Sequence, residues 1–292
     1  MKKLFKYLLF IIVISCLCFI FLNIKSNDIV VVSIKTYNND ILYKEGNGFV
    51  YKVDDYAYIL TNYHVISDSN DVYIYYNNDK IRARVLNYDE YEDIAIVIVD
   101  KSIFNHSMKI SNGFKVNDKI SVISAEDRIN GMIDSKIIPI KFNYNNKSKM
   151  LDLIKVSADI KEGYSGSPVV DKDNSVVGII TMIDGNNNSY AIPIDMDKIN
   201  LLESGNIYRA NLGISASTST DIKGVLLNEV FDNSKASGAN LISGDIIVSI
   251  DDVSINDVSE FRYYLYKFKK NDNVKFKYYR SGSYYETSIV LD

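Results

Sequence analysis

The sequence predicts a mainly β protein, two antiparallel barrels followed by a small α+β domain. Between residues 29 and 194, short apolar or alternating runs recur at close intervals, divided by clusters of Asn, Asp, Gly and Ser. After Ser204-Gly205-Asn206 the pattern changes to strands mixed with helical spacing. The chain has 292 residues, 47% hydrophobic and 24% charged, which is enough apolar material for two separate cores.

The N-terminus carries Lys2, Lys3 and Lys6, then an uncharged run over 7–24 that ends at Lys25. As a helix this run would span about 27 Å, close to the thickness of a bilayer's hydrocarbon core. The lysines before it put residues beyond 25 on the extracytoplasmic side, so residues 1–28 are expected to be a single-pass anchor in the cell membrane. A cleaved signal peptide and a lipoprotein signal with Cys16 as the modified residue are the alternatives. The first lacks an Ala-x-Ala site. The second sits awkwardly with the apolar stretch after Cys16.

Ten strands are expected in the first domain, at 29–34, 48–53, 71–76, 81–86, 94–99, 120–124, 137–142, 153–156, 176–182 and 190–194. Many short strands with few helical periods imply barrels or a sandwich, and the count suits a pair of antiparallel barrels. A short helix over 195–203 closes this domain, which is placed at 29–204. The second domain, 207–292, has strands near 225–230, 245–250, 274–279 and 287–290, a short helix over 234–239 and a longer one over 258–267. Val258, Phe261, Leu265 and Phe268 in the longer helix share one face and are expected to pack on that domain's own sheet.

Three segments carry chemistry: Thr61-Asn62-Tyr63-His64-Val65, Asp93-Ile94-Ala95-Ile96-Val97 and Gly163-Tyr164-Ser165-Gly166-Ser167-Pro168. A serine hydroxyl is a poor nucleophile until an imidazole takes its proton, and the imidazole works when a carboxylate fixes its tautomer. His64, Asp93 and Ser165 supply that set in the order His, Asp, Ser. Among the neighbouring acids Asp89, Glu90, Glu92 and Asp100, a solvated turn is the ordinary state. Asp93 alone abuts the apolar run and is expected to be drawn inside. Gly163 lets the N–H groups of residues 163 and 165 converge on one point, as an oxyanion requires. The nucleophile elbow of α/β-hydrolases is excluded. Residue 167 is Ser rather than Gly, and both histidines, His64 and His106, precede Ser165.

Other classes find little support. Net charge is −4 with both signs interspersed, which gives no footprint for nucleic acid. Both cysteines, Cys16 and Cys18, lie in the N-terminal run, and two histidines do not make a structural zinc site, so no metal or cofactor is expected.

The three segments, with Tyr190-Ala191-Ile192-Pro193, resemble the HtrA/Deg family of trypsin-like serine proteases. The C-terminal part is similar to that family's PDZ domain through Leu212-Gly213-Ile214, Gly224-Val225-Leu226-Leu227 and Ser243-Gly244-Asp245-Ile246-Ile247. The resemblance covers residues 46–292. It implies a chymotrypsin-like double barrel, the triad His64, Asp93 and Ser165, and an oxyanion hole at the Gly163 and Ser165 N–H groups. It further implies a carboxylate-binding loop at Leu212, Gly213 and Ile214. The expected activity is ATP-independent endoproteolysis of unfolded or mislocalised proteins in quality control or stress signalling. A PDZ domain that binds protein C-termini would regulate it, and the assembly would be a homotrimer. The candidates for a specificity pocket are Asp159, Ile183 and Tyr190. Asp159 there is either a recognition group for basic side chains or an ordinary solvated carboxylate. Tyr164 and Ser167 stand where the family usually has Asn and Gly. These departures give a second reading, from a different class, its support: a catalytically silent shell that captures peptides.

Overall fold

The computed structural model describes residues 29–144, 147–184 and 186–291. The expected membrane span lies outside them. Among the described residues no helix is long and apolar enough to cross a membrane.

The first barrel is built from β1 (Val31–Asn38), β2 (Ile41–Val53), β3 (Tyr56–Thr61), β4 (Asp71–Tyr76), β5 (Asp79–Asp89) and β6 (Ile94–Asp100). They close in the order β1-β2-β3-β6-β5-β4, with β4 pairing back to β1. Side chains alternate across a strand, so each strand has an inner and an outer row. On β6 the inner row is Ala95, Val97 and Val99, which fill the barrel with Val32, Ile34, Ile59 and Ile74. Its outer row, Ile94, Ile96 and Ile98, packs in a second cluster with Phe49, Leu60, Leu153 and Ile179. Both faces of β6 are therefore dry. That is why its sequence is a continuous apolar run rather than an alternation.

The second barrel contains β7 (Lys119–Ile123), β8 (Arg128–Ile133), β9 (Ile138–Tyr144), β10 (Lys147–Ser157), β11 (Pro168–Val170), β12 (Val176–Ile183) and β13 (Ser189–Pro193). Their order is β13-β12-β11-β7-β8-β10-β9, and β13 pairs back to β10. Ile120, Val122, Ile154, Val156, Val169 and Ile180 belong to its interior. The cluster shared by β6, β10 and β12 joins the two barrels, and the active-site candidates gather along that seam.

Of the two short helices in this part, the one over 196–204 is expected from the sequence and the single turn at 63–66 is not. The single turn α1 (Tyr63–Ile66) carries His64. Helix α2 (Met196–Ser204) starts at Asp195, whose carboxylate accepts the Lys198 N–H, and ends at Gly205 with φ 68. Tyr51 and Lys52 donate to the Glu203 carboxylate at 2.9 and 3.1 Å, which fastens α2 to the first barrel.

The C-terminal domain has β14 (Ile214–Thr218), β15 (Val225–Val230), α3 (Lys235–Gly238), β16 (Ile246–Ile250), β17 (Val253–Ser254), α4 (Val258–Leu265), β18 (Asn273–Arg280) and β19 (Ser283–Val290). Its sheet runs β14-β15-β16-β18-β19, so β14 is an edge strand. The predicted stripe behaves as expected: Phe261 and Leu265 are buried in this domain's core, with Val258 and Phe268 packed against it.

Asp245 is fully buried and takes both forks of the Arg280 guanidinium, at 2.6 Å from Nε and 2.7 Å from Nη2. A carboxylate in that position is tolerable because it is paired and hydrogen-bonded. Removing one partner of a buried pair strands the other. Arg280→Met is expected to lower the stability of the C-terminal domain by about 2–3 kcal/mol in denaturant unfolding. A loss under about 0.5 kcal/mol, the range of an ordinary surface change, would contradict this.

Candidate active site

His64, Asp93 and Thr181 meet where the barrels join. The Asp93 carboxylate receives three hydrogen bonds. One joins its Oδ2 to His64 Nδ1 at 2.8 Å, one comes from the His64 main-chain N–H to Oδ1 at 2.9 Å, and one from the Thr181 hydroxyl to Oδ2 at 2.6 Å. Asp93 is 8% exposed and sits at φ 57, a left-handed conformation that Asp tolerates better than most residues. Asn62 Nδ2 holds its carbonyl oxygen at 3.0 Å. Asp93 thus enters the interior, as the apolar run after it predicts. The companion expectation, that Asp93 alone does so, is corrected: Asp89 is buried to the same degree. Asp89 is tolerated because it caps its own turn, accepting the N–H groups of Tyr91 and Glu92 at 2.9 and 3.2 Å, and pairs with Arg209.

Ser165 lies half-buried on the loop leading to β11. Strand β2 shapes that loop. The Asn47 N–H donates to the Ser165 carbonyl at 2.7 Å, the Asn47 side-chain amide donates to the Gly163 carbonyl at 2.8 Å, and Asn47 Oδ1 accepts the Ala125 N–H at 2.9 Å. Approach is so close that a Cβ on Gly166 (φ 84) would come within 1.8 Å of the Asn47 carbonyl oxygen. Only glycine fits there. Gly163, at φ 92, has nothing within 4 Å of its missing Cβ. Among the described residues, the N–H groups of Gly163 and Ser165 have no acceptor. Ser167 is fully buried, with its hydroxyl unpartnered among the described residues, so it cannot present a nucleophile to a substrate. The Tyr164 ring packs against the second barrel's core and its hydroxyl reaches Asp127 at 3.3 Å.

A cleft of about 490 Å³ opens beside Ser165, lined by Ile160, Gly163, Thr181, Ile183 and Asp184 among others. Of the three pocket candidates only Ile183 lines it. Asp159 is exposed and lies outside the lining, where its carboxylate keeps its water, and Ile160 takes the inward position. Tyr190 is buried in the cluster between the barrels, its hydroxyl donating to Asp184 at 3.1 Å. The sequence reading missed Asn47, Thr181 and Asp184. The first two carried faint signals, an Asn flanked by Gly46 and Gly48 and a lone hydroxyl in an apolar strand. Asp184 looked like any turn residue.

The loop at Leu212, Gly213 and Ile214 leads into the edge strand β14. Gly213 has φ 69, and its N–H is held by Asn211 Oδ1 at 2.9 Å. Leu212 is buried in the domain core.

Asp184 accepts hydrogen bonds from the Asn188 side-chain amide, the Asn188 and Asn186 N–H groups and Tyr190, and these hold its carboxyl down to about 2. The cleft mouth thus carries a fixed negative charge at neutral pH. Because the folded value is depressed, this group's contribution to stability is complete above the ordinary carboxylate range and is lost as pH falls through about 2. A carboxyl-carbon NMR titration is expected to place Asp184 near that value, and Asn188→Ala to move it up toward about 4. An ordinary midpoint in the unmodified protein would refute the assignment.

Comparison with known proteins adds family-level likeness. Residues 46–179 match the trypsin-like peptidase domain, and residues 210–291 match the PDZ domain. A "Serine protease HtrA-like" protein of Staphylococcus epidermidis is 29% identical over 309 residues, covering 92% of this chain and 52% of that protein. The chain therefore spans about half the length of that relative. A "Serine protease Do-like HtrA" of Lactococcus lactis is 29% identical over 289 residues, covering 86% of this chain and 71% of that protein. Among solved structures, a serine endoprotease from Yersinia pestis superposes with a TM-score of 0.64 at 20% identity, covering 90% of this chain and 93% of that one. The HtrA-type protease AlgW with a decapeptide gives 0.63 at 17% identity, covering 90% and 94%. At these identities the structural likeness is one of fold.

Proposed function

We propose that this chain, a trypsin-like peptidase domain followed by a PDZ domain as in HtrA-type proteins, is a serine endopeptidase. The observation that carries the reading is the Asp93 carboxylate, bonded at once to His64 Nδ1 and Thr181 beside a cleft that Ser165 lines. In this reading the Ser165 hydroxyl attacks the scissile carbonyl and His64 Nε2 takes its proton. Asp93 keeps the other ring nitrogen protonated and stabilises the imidazolium. The N–H groups of Gly163 and Ser165 receive the developing oxyanion. His64 then returns the proton to the leaving amine, and water repeats the cycle on the acyl-enzyme.

The proposed substrates are unfolded or mislocalised polypeptides, since an extended chain is what a cleft bordered by strands can take. The edge strand β14, entered from the Leu212-Gly213-Ile214 loop, supports capture of free C-termini by strand addition. The lysines and uncharged run at the N-terminus support a membrane tether with both domains outside the cytoplasm. A homotrimer in quality control or stress signalling completes the proposal, on the strength of the resemblance.

Tyr164 and Ser167 do not stand against activity, because the proposed oxyanion donors are main-chain groups. Ser165→Ala is expected to reduce cleavage of an unfolded protein by at least about 10⁴-fold while shifting stability by no more than about 0.5 kcal/mol. Ser167→Ala is expected to keep most activity and to be neutral or slightly stabilising, because it removes a buried hydroxyl that lacks a partner among the described residues. Cleavage surviving Ser165→Ala would remove the nucleophile assignment. An inert unmodified protein, in its native oligomer, would favour the peptide-capturing shell.

A further inference from the structure

The turn that delivers Asp93 is fastened at its other end by residues outside the first barrel. Asp89 begins the turn, and its Oδ1 caps the Tyr91 and Glu92 N–H groups. Its Oδ2 receives the guanidinium of Arg209, from the segment between α2 and β14. The same guanidinium lies 5.7 Å from the Tyr91 ring centre and 5.4 Å from that of Tyr266, the residue capping α4. Those two rings meet edge to face at 4.8 Å. Tyr91 is tied to the second barrel through its hydroxyl, which donates to the Met150 carbonyl at 2.9 Å. Arg209 also stands 3.9 Å from Glu92, which holds Lys198 of α2 at 3.3 Å.

Asp89 is deeply buried, and a carboxylate there is costly unless a cation and hydrogen bonds face it. Burial pushes the Asp89 carboxyl up, against the pull of Arg209 and of the two N–H groups it caps. Without the guanidinium, the side chain's best recourse is to turn to water and release the cap. Four residues on, Asp93 is held at a positive φ, a conformation that persists where its surroundings enforce it.

We propose that Arg209 is a positioning residue for the triad carboxylate: acting through Asp89 and flanked by the Tyr91 and Tyr266 rings, it fixes the turn that aims Asp93 at His64. The inference rests on the serine-protease reading of the site, and it makes docking of the C-terminal domain's first residues and of α4 part of the catalytic geometry. Arg209 and Asp89 touch no substrate.

The test compares Arg209→Met, Arg209→Lys, Asp89→Asn and the double variant Asp89→Asn/Arg209→Met in the full chain. On a short peptide substrate, Arg209→Met is expected to lower kcat about 10-fold with KM changed by less than about 2-fold, since the cleft is untouched and only the triad's aim is disturbed. Arg209→Lys should recover part of the loss, by restoring charge without the fork. The double variant should be no worse than Arg209→Met, because no unpaired carboxylate remains. A second readout needs no turnover. The chain has two histidines, and His106 is exposed, so the proton on His64 Nδ1 can be followed by NMR. Its resonance is expected to shift or broaden in Arg209→Met at temperatures where the variant is fully folded. A kcat within about 2-fold of the unmodified protein, or an unchanged His64 resonance, would overturn the proposal. If the unmodified protein has no peptidase activity, the protease reading falls, and the resonance alone decides whether Arg209 holds the turn.

Discussion

Everything at the candidate site depends on one buried carboxylate. Asp93 sits at the seam between two barrels and is tolerated there because its oxygens accept bonds from both sides. The His64 ring and main-chain N–H come from the first barrel, and the Thr181 hydroxyl comes from β12 of the second. An unpaired carboxylate at 8% exposure would be driven to protonate or to leave. Satisfying it requires the barrels to pack in one relative position. The apolar cluster of Phe49, Leu60, Ile96, Leu153 and Ile179 supplies the driving force for that packing, and the carboxylate supplies its register.

The serine loop is fixed by a complementary device. Asn47 is a buried amide whose donor and acceptor are both used, one on Gly163 and one on Ala125, while its main-chain N–H holds the Ser165 carbonyl. Gly46 and Gly166 let the two backbones approach to a distance that side chains would forbid. The nucleophile candidate is thus held through the main chain of its loop, by contacts that do not use its own hydroxyl. That separation is what preorganisation requires, because rigidity comes from atoms that take no part in the chemistry.

Much of this was legible in the sequence because the relevant signals are local. The runs at 71–76 and 94–99 became strands almost to the residue, and Asp195 with Gly205 bounded α2 as capping rules require. The alternation of apolar residues does not reveal partners, however. Strand β8, Arg128–Ile133, is short, half polar and contains Gly131, whose place is set by the Ser157 carbonyl pressing on it rather than by its own propensity. The same limit applies at the site. The triad candidates announce themselves through chemistry-bearing residue types in order. Thr181, Asn47 and Asp89 acquire their parts only through partners 88, 116 and 120 residues away. Asp159 shows the converse: of the two readings open for it, its exposure agrees with the solvated carboxylate. A position judged by analogy pointed to water, because a carboxylate with no cation to meet has no reason to enter an apolar wall.

In the proposed mechanism Ser165, activated by the His64–Asp93 pair, is the single nucleophile. This is tested most directly by treating the full chain with a fluorophosphonate and locating the adduct by mass spectrometry of the digested protein. One adduct is expected, on Ser165, its formation suppressed by His64→Ala. No adduct, an adduct on Ser167, or labelling of Ser165 that is indifferent to loss of His64 would contradict it.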